Sequence, residues 1–186
     1  MLRSLVGSEM CIRDRNYSYT KTEYGEDYFV LTVDDPTNPV AVFGQCTQGY
    51  VSCEDDNPAF VTDYTVNLKG GPLKGIPEDK FTMNITYEMD TRWGPVWLFA
   101  THSYTGAFSA SGVQRDLDRI ESRETTNVSA SWYSEDGSVN VRAYIDNLMD
   151  NESYYALSTS SAEQNYRKTV SALSPRTMGV DIRYKF

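Results

Sequence analysis

The chain has 186 residues, of which 40% are hydrophobic and 13% aromatic, with 14 tyrosines and a formal net charge of −9. That length accommodates one domain of ordinary size, and the acidic balance excludes the basic footprint of a nucleic-acid binder. No run approaches the roughly 18 apolar residues of a transmembrane helix, which leaves room for a membrane protein built from strands, whose hydropathy signal is much weaker.

The first fifteen residues lack the long apolar region and small-residue cleavage site of a secretory signal. Residues 5–15, LVGSEMCIRDR, resemble the in-frame translation of a transposase-type sequencing adapter. On that reading residues 1–15 are a metagenomic artefact without packing, Cys11 leaves the cysteine count, and residues 16–186 are the C-terminal piece of a protein that continues upstream.

Residues 16–24, NYSYTKTEY, are rich in Tyr and Thr and predict a strand. A long connection follows at 25–79, with five prolines and short β-like runs at 28–33, 40–43 and 60–68. Cys46 and Cys53 lie within it, seven positions apart. A small loop disulfide would suit an oxidising compartment; two unrelated free thiols are the other reading. Glu54, Asp55 and Asp56 offer oxygen ligands for a hard cation, but without the spacing and glycine of a calcium loop they read as a solvated acidic stretch.

Residues 80–89 alternate cleanly, with Phe81, Met83, Ile85, Tyr87 and Met89 on one face and Thr82, Asn84, Thr86 and Glu88 on the other. A turn at 90–94 leads into 95–105, where Val96, Trp97, Leu98 and Phe99 are all apolar and the faces stay unassigned. After a polar connection at 106–124, residues 125–133 set Val128, Ala130 and Trp132 against Asn127, Ser129 and Ser131. A tight turn at 134–137 predicts a hairpin with 138–147, where Val139, Val141, Ala143 and Ile145 share a face. A last long connection, 148–176, precedes a strand in which Met178, Val180, Ile182, Tyr184 and Phe186 alternate with polar residues or glycine.

The connections run long, short, long, short, long, so all the long ones fall on one side and both short ones on the other. Outer-membrane barrels sort their loops this way, and the strands have about the 9–11 residues that cross a bilayer when tilted. The predicted fold is therefore all-β: an antiparallel, up-and-down transmembrane β-barrel, of which about six strands are present as an open sheet. A soluble β-sandwich binding module is the alternative that fits the same periodicity.

Three stretches narrow the family. Residues 145–150, IDNLMD, followed by Tyr154 and Tyr155, resemble the motif that ends the penultimate strand of TonB-dependent outer-membrane receptors. Asn147, Leu148 and Asp150 match it, while Met149 stands where an aromatic is usual. Pro175 and Arg176 are similar to that family's entry to its last strand, and residues 73–77, LKGIP, to an earlier lead-in. The closing strand, through Met178, Val180, Ile182, Tyr184 and Phe186, resembles the signal read by the barrel-assembly machinery.

The resemblance implies a barrel of about 22 strands around an N-terminal plug, in the outer membrane of a Gram-negative bacterium. It implies uptake of a scarce small ligand, of the siderophore, cobalamin or oligosaccharide type, with energy delivered by TonB through the upstream part. The implied partners are outer-membrane lipid, the assembly machinery, TonB and the ligand; no cofactor or metal is implied. An unplugged porin-like or structural barrel is the first alternative.

No catalytic constellation is legible. His102 is the single histidine and has no nucleophile motif beside it, so the chain reads as a transporter and not an enzyme. Tyr87, Trp132, Tyr184 and Phe186 are expected near a membrane interface. The long connection 25–79 is expected to supply ligand-contacting surface, because binding residues concentrate on loops over a rigid scaffold.

Overall fold

The computed structural model describes residues 10–31, 65–113, 115–160, 164–165 and 167–186. Six strands make one antiparallel sheet: β1 (Met10–Tyr19), β4 (Asp79–Thr91), β5 (Gly94–Thr105), β8 (Arg123–Tyr133), β9 (Val139–Asp146) and β12 (Thr177–Tyr184), side by side in that order. Each strand pairs with the wall strand before it in the chain, and β1 does not meet β12, so the sheet stays open. The connections contain three two-stranded antiparallel sheets: β2 (Phe29–Leu31) with β3 (Thr65–Asn67), β6 (Phe108–Ser109) with β7 (Arg119–Ile120), and β10 (Tyr154–Thr159) with β11 (Lys168–Ala172). Residues 106–124 and 148–176 were expected as plain loops; strands this short show no period from which to read them.

Register turns the alternating strands into a two-faced wall. Directly opposed residues share a face, and three rows run across five strands without a charged side chain. They are Ile85–Ala100–Val128–Ile145–Met178, Tyr87–Leu98–Ala130–Ala143–Val180 and Met89–Val96–Trp132–Val141–Ile182. The row toward the long connections is mixed, with Met83, His102 and Thr126, and the next pairs Phe81 and Tyr104 with Glu124. The apolar band thus starts at Phe81 in β4 but at Val128 in β8, and it reaches Tyr184 in β12. Such an oblique course belongs to strands tilted against a barrel axis.

The opposite face carries Thr82, Asn84 and Thr86, then Ser103 and Thr101, then Asn127, Ser129 and Ser131. Register also settles β5, the strand with blurred periodicity: Val96 and Leu98 join the apolar rows, and Trp97 and Phe99 lie on the polar face. Gly179 leaves room on that face for the Tyr144 ring of the neighbouring strand, whose hydroxyl would stand 2.6 Å from a Cβ there.

A sandwich would cover one face of this sheet with a second layer. Here the buried apolar side chains among the described residues are Leu68, Pro77 and Ile120, all in the long connections. Leu98, Met178, Val180 and Ile182 remain exposed on the band. The sheet is a wall, not half of a core.

Residues 10–15 depart from expectation. The sequence predicts these residues unpacked and a strand over 16–24; instead the strand runs Met10–Tyr19 and pairs with β4 throughout. The reason is backbone chemistry: the edge of β4 offers N–H and C=O groups that any extended chain continuing β1 can satisfy. The side chains do not follow the wall's pattern. Arg13 opposes Ile85 and Arg15 opposes Met83 on the apolar face, while Met10 and Ile12 sit opposite Glu88 and Thr86 on the polar one. From Asn16 the phase is correct, with Tyr17 opposite Phe81 and Asn16 opposite Thr82.

The two short turns are fixed by local chemistry. Gly94 adopts φ 114°, and a Cβ there would lie 2.0 Å from the Tyr133 carbonyl oxygen, so only glycine lets this turn close against the end of β8. Trp132 Nε1 donates to the Trp93 carbonyl oxygen at 3.0 Å and ties the β4–β5 turn to β8. In the β8–β9 turn the Asp136 carboxylate accepts from Ser134 Oγ at 2.6 Å, and from the Ser138 N–H at 3.1 Å and its hydroxyl at 2.9 Å.

Those donors, the Ser134 hydroxyl foremost, hold the Asp136 carboxyl down at about 2, below its ordinary 3.8. A depressed folded-state pKa stabilises the turn fully above the ordinary value and loses that contribution as pH falls from 3.8 through about 2. Asp136→Asn is expected to abolish this acid dependence. A carboxyl carbon titration by NMR that placed Asp136 at its ordinary value would refute the arrangement.

Candidate functional site

All three long connections emerge from one end of the wall, joining β1 to β4, β5 to β8 and β9 to β12. Their described residues are knitted together. The Gly75 N–H donates to the Ser109 carbonyl at 2.8 Å, joining the first connection to the second. A Cβ at Gly112 would lie 3.3 Å from Leu68 Cδ1, so that glycine lets the two connections close over Leu68.

The second and third connections meet at Asp118, which is 2% exposed. Its carboxylate accepts from Arg115 Nε at 2.6 Å and Thr159 Oγ1 at 3.0 Å, and pairs with Arg115 Nη2 at 2.5 Å. A buried carboxylate survives only when paired and hydrogen-bonded, so this network pins β10 to the turn that precedes β7. Lys168 Nζ adds a hydrogen bond of 2.8 Å to the Leu117 carbonyl.

Against these connections lies an open cleft of about 480 Å³. Its floor is the loop end of the polar face, where Lys80, Thr105 and Arg123 form one cross-strand row. Its walls include Phe108, Ile120, Tyr155 and Leu157 from the small two-stranded sheets. Clefts of this size are the usual form of small-molecule sites, and this one exposes more polar than apolar surface.

The motif residues come together at the same end, on the β9–β12 side. Asn147, 5% exposed and at φ 51°, is the knot. Its side-chain amide donates to the carbonyls of Asn151 at 3.1 Å and Ser174 at 3.0 Å, and its side-chain oxygen accepts from the Asn151 N–H at 2.9 Å. The Asn147 N–H donates to Asn127 Oδ1 at 2.9 Å. Asp150, at φ 54°, accepts from the Arg176 N–H at 2.8 Å, and its carboxylate stands 3.6 Å from the Arg176 guanidinium. Arg176 also donates to the Leu148 carbonyl at 3.4 Å, and the Pro175 carbonyl accepts from Thr177 Oγ1 at 3.1 Å.

Asn147, Leu148, Asp150, Pro175 and Arg176 therefore form one clamp that fixes where β9 ends and β12 begins. Asn and Asp suit its left-handed positions because their short polar side chains tolerate that backbone. Asn147→Ala is expected to cost about 2–4 kcal/mol, since it strips a buried position of its side-chain partners. The loss should appear in denaturant unfolding from detergent micelles; a change within about 0.5 kcal/mol would contradict the clamp.

Other expected positions divide. Met178, Val180, Ile182 and Tyr184 share the apolar face of β12, and the Tyr184 and Phe186 rings meet edge-on at 5.3 Å near the short turns. Trp132 lies at that end too, whereas Tyr87 sits one row nearer the middle of the band than expected. His102 lies on the apolar face in the mixed row, with Nδ1 2.9 Å from Thr126 Oγ1. Cys46, Cys53 and the acidic run 54–56 lie outside the described residues.

Lys80, Arg123, Arg115 and Asp118 carried no sequence signal. Their grouping depends on contacts between connections that are far apart in the chain.

No family model matches the chain, and no curated protein matches it. Among solved structures it is similar to the ferric yersiniabactin uptake receptor FyuA from Yersinia pestis, with a TM-score of 0.55 at 19% identity. The likeness covers 64% of this chain and 18% of that one. The sheet is part of a β-barrel. At that identity the likeness speaks for the fold of the wall, and the chain spans well under two thirds of that receptor's length.

Proposed function

We propose that the chain is the C-terminal barrel segment of a TonB-dependent outer-membrane receptor, a transporter and not an enzyme, that takes up a scarce small ligand of the siderophore, cobalamin or oligosaccharide type. The observation that carries this reading is the exposed apolar band of three rows across five strands, with every long connection at one end. On this reading the band faces lipid, the polar face lines the lumen, and the cleft lies at the extracellular mouth. Trp132, Tyr184 and Phe186 then belong to an interfacial girdle.

The clamp around Asn147 supports the family assignment, because it gives the motif residues one shared structural role. The alternating face of β12 supports recognition by the barrel-assembly machinery. The inverted phase of residues 10–15 supports the adapter origin of residues 1–15. Two arginines on a lipid-facing band would cost up to about 2–4 kcal/mol each near the bilayer midplane.

The test is recovery of the reading frame upstream of the locus, from independently prepared DNA. A plug domain and a TonB-contacting box in frame would bear the proposal out. A barrel frame without a plug would replace it with an unplugged pore, and the same first fifteen codons behind a genuine start would remove the artefact.

A further inference from the structure

Lys80 and Arg123 lie on the polar face at the floor of the open cleft, one on each side of Thr105 in the same cross-strand row. Two strand spacings separate their backbones by about 10 Å, a distance that two long side chains close around one anionic group. Among the described residues neither forms an ion pair, and no carboxylate lines the cavity. Arg123 Nη1 is buried without a hydrogen-bond partner. Its guanidinium lies 5.8 Å from the Phe108 ring centroid, a cation–π contact that orients it.

A guanidinium cannot lose its proton to relieve an unmet donor, so the donor calls for an acceptor. In a chain of net charge −9, two cations without carboxylate partners at the bottom of a cavity stand against the overall balance.

We infer that this cavity binds a small organic anion, whose carboxylate or phosphate is held between Lys80 and Arg123 and whose apolar body packs on Phe108, Ile120 and Leu157. The inference deepens the receptor reading and rests on it for the ligand to be cargo. Binding itself requires only the cavity. A neutral ligand of the same shape would leave the Arg123 donor unmet, so charge is what the site discriminates.

The test titrates the 186-residue chain, in non-ionic detergent micelles, with 2-naphthoate and with its neutral analogue 2-naphthamide. The naphthoate is expected to bind about tenfold or more tightly than the amide, since hydrogen bonds to charged groups exceed neutral ones by about that factor. Arg123→Gln and Lys80→Gln should each weaken naphthoate and leave the amide unchanged, while Arg123→Lys keeps the preference in part. Thr105→Glu, which places a carboxylate between the two cations, should abolish naphthoate binding by occupying them internally.

Equal affinity for the two probes, or a preference that survives the Lys80→Gln/Arg123→Gln double variant, overturns the inference. Circular dichroism of each sample checks the sheet, and a wild-type chain without β structure in micelles overturns the site together with the fold. A chain soluble without detergent that still prefers naphthoate keeps the site and loses the receptor reading. A chain that needs detergent and binds both probes equally loses the site alone.

Discussion

Diluted from denaturant into buffer without lipid or detergent, the 186-residue chain is expected to precipitate instead of folding to a soluble monomer. The apolar band is bare in water, and contiguous patches beyond a few hundred Å² drive association. A bilayer alone does not rescue the isolated sheet. The outer edges of β1 and β12 present rows of N–H and C=O groups that find no partner in the described sheet, and each such group costs several kcal/mol in hydrocarbon. A micelle is a milder host, because it covers the band while the edges and polar face stay wet. Expression in a Gram-negative host followed by fractionation checks the first part: the chain should appear in aggregates or with chaperones and transport nothing. A soluble, cooperatively melting monomer would show that the band is a core, and the sandwich module would then be the right reading.

A second large effect separates the two faces of a single strand. Ala130 stands in the middle apolar row between Leu98 and Ala143, while its neighbour Ser129 lies between Phe99 and Tyr144 on the polar face. Ala130→Arg is expected to destabilise the wall by about 2–4 kcal/mol, the cost of an arginine on the lipid face near the bilayer midplane. Ser129→Arg is expected to stay within about 0.5 kcal/mol, as surface substitutions away from special features do. The new guanidinium can there stack on Phe99 or Tyr144, much as Arg142 already lies 5.3 Å from the Tyr144 ring centroid. Denaturant unfolding from micelles reads both variants. Equal costs at the two positions would mean that the faces do not differ in environment.

The wall was legible wherever one face is apolar and the other polar. In β4 the alternation from Phe81 to Met89 gives strand, faces and turn together, and in β12 the run from Met178 does the same. β5 was legible as a strand but not as a pair of faces, because Trp97 and Phe99 are as apolar as Val96 and Leu98; only pairing with Thr86 and Ser129 places Phe99 on the polar side. The sorting of connections to one end followed from their lengths.

The cap was not legible. β6 and β7 are two residues each, too short for a period, and the contacts that hold them join residues far apart in sequence. Thr159 reaches Asp118 across 41 positions and Lys168 reaches Leu117 across 51. The clamp lies between these cases. Asn147, Asp150 and Arg176 could be named from the resemblance, but the single knot they form depends on β9 and β12 being neighbours, which no local pattern states. Residues 10–15 show the converse. Their backbone joins the sheet although their side-chain phase opposes it, since pairing at an open edge requires only an extended chain.

One face of this wall is expected to meet lipid and the other water. The direct measurement places a nitroxide label in turn at positions 127, 128, 129, 130 and 131 of β8, in a cysteine-free background held in micelles, and reads collision with oxygen against collision with a water-soluble nickel chelate. A period of two is expected, with Val128 and Ala130 positions favouring oxygen and Asn127, Ser129 and Ser131 positions favouring the chelate. Chelate access at all five positions, or oxygen preference without alternation, would contradict it.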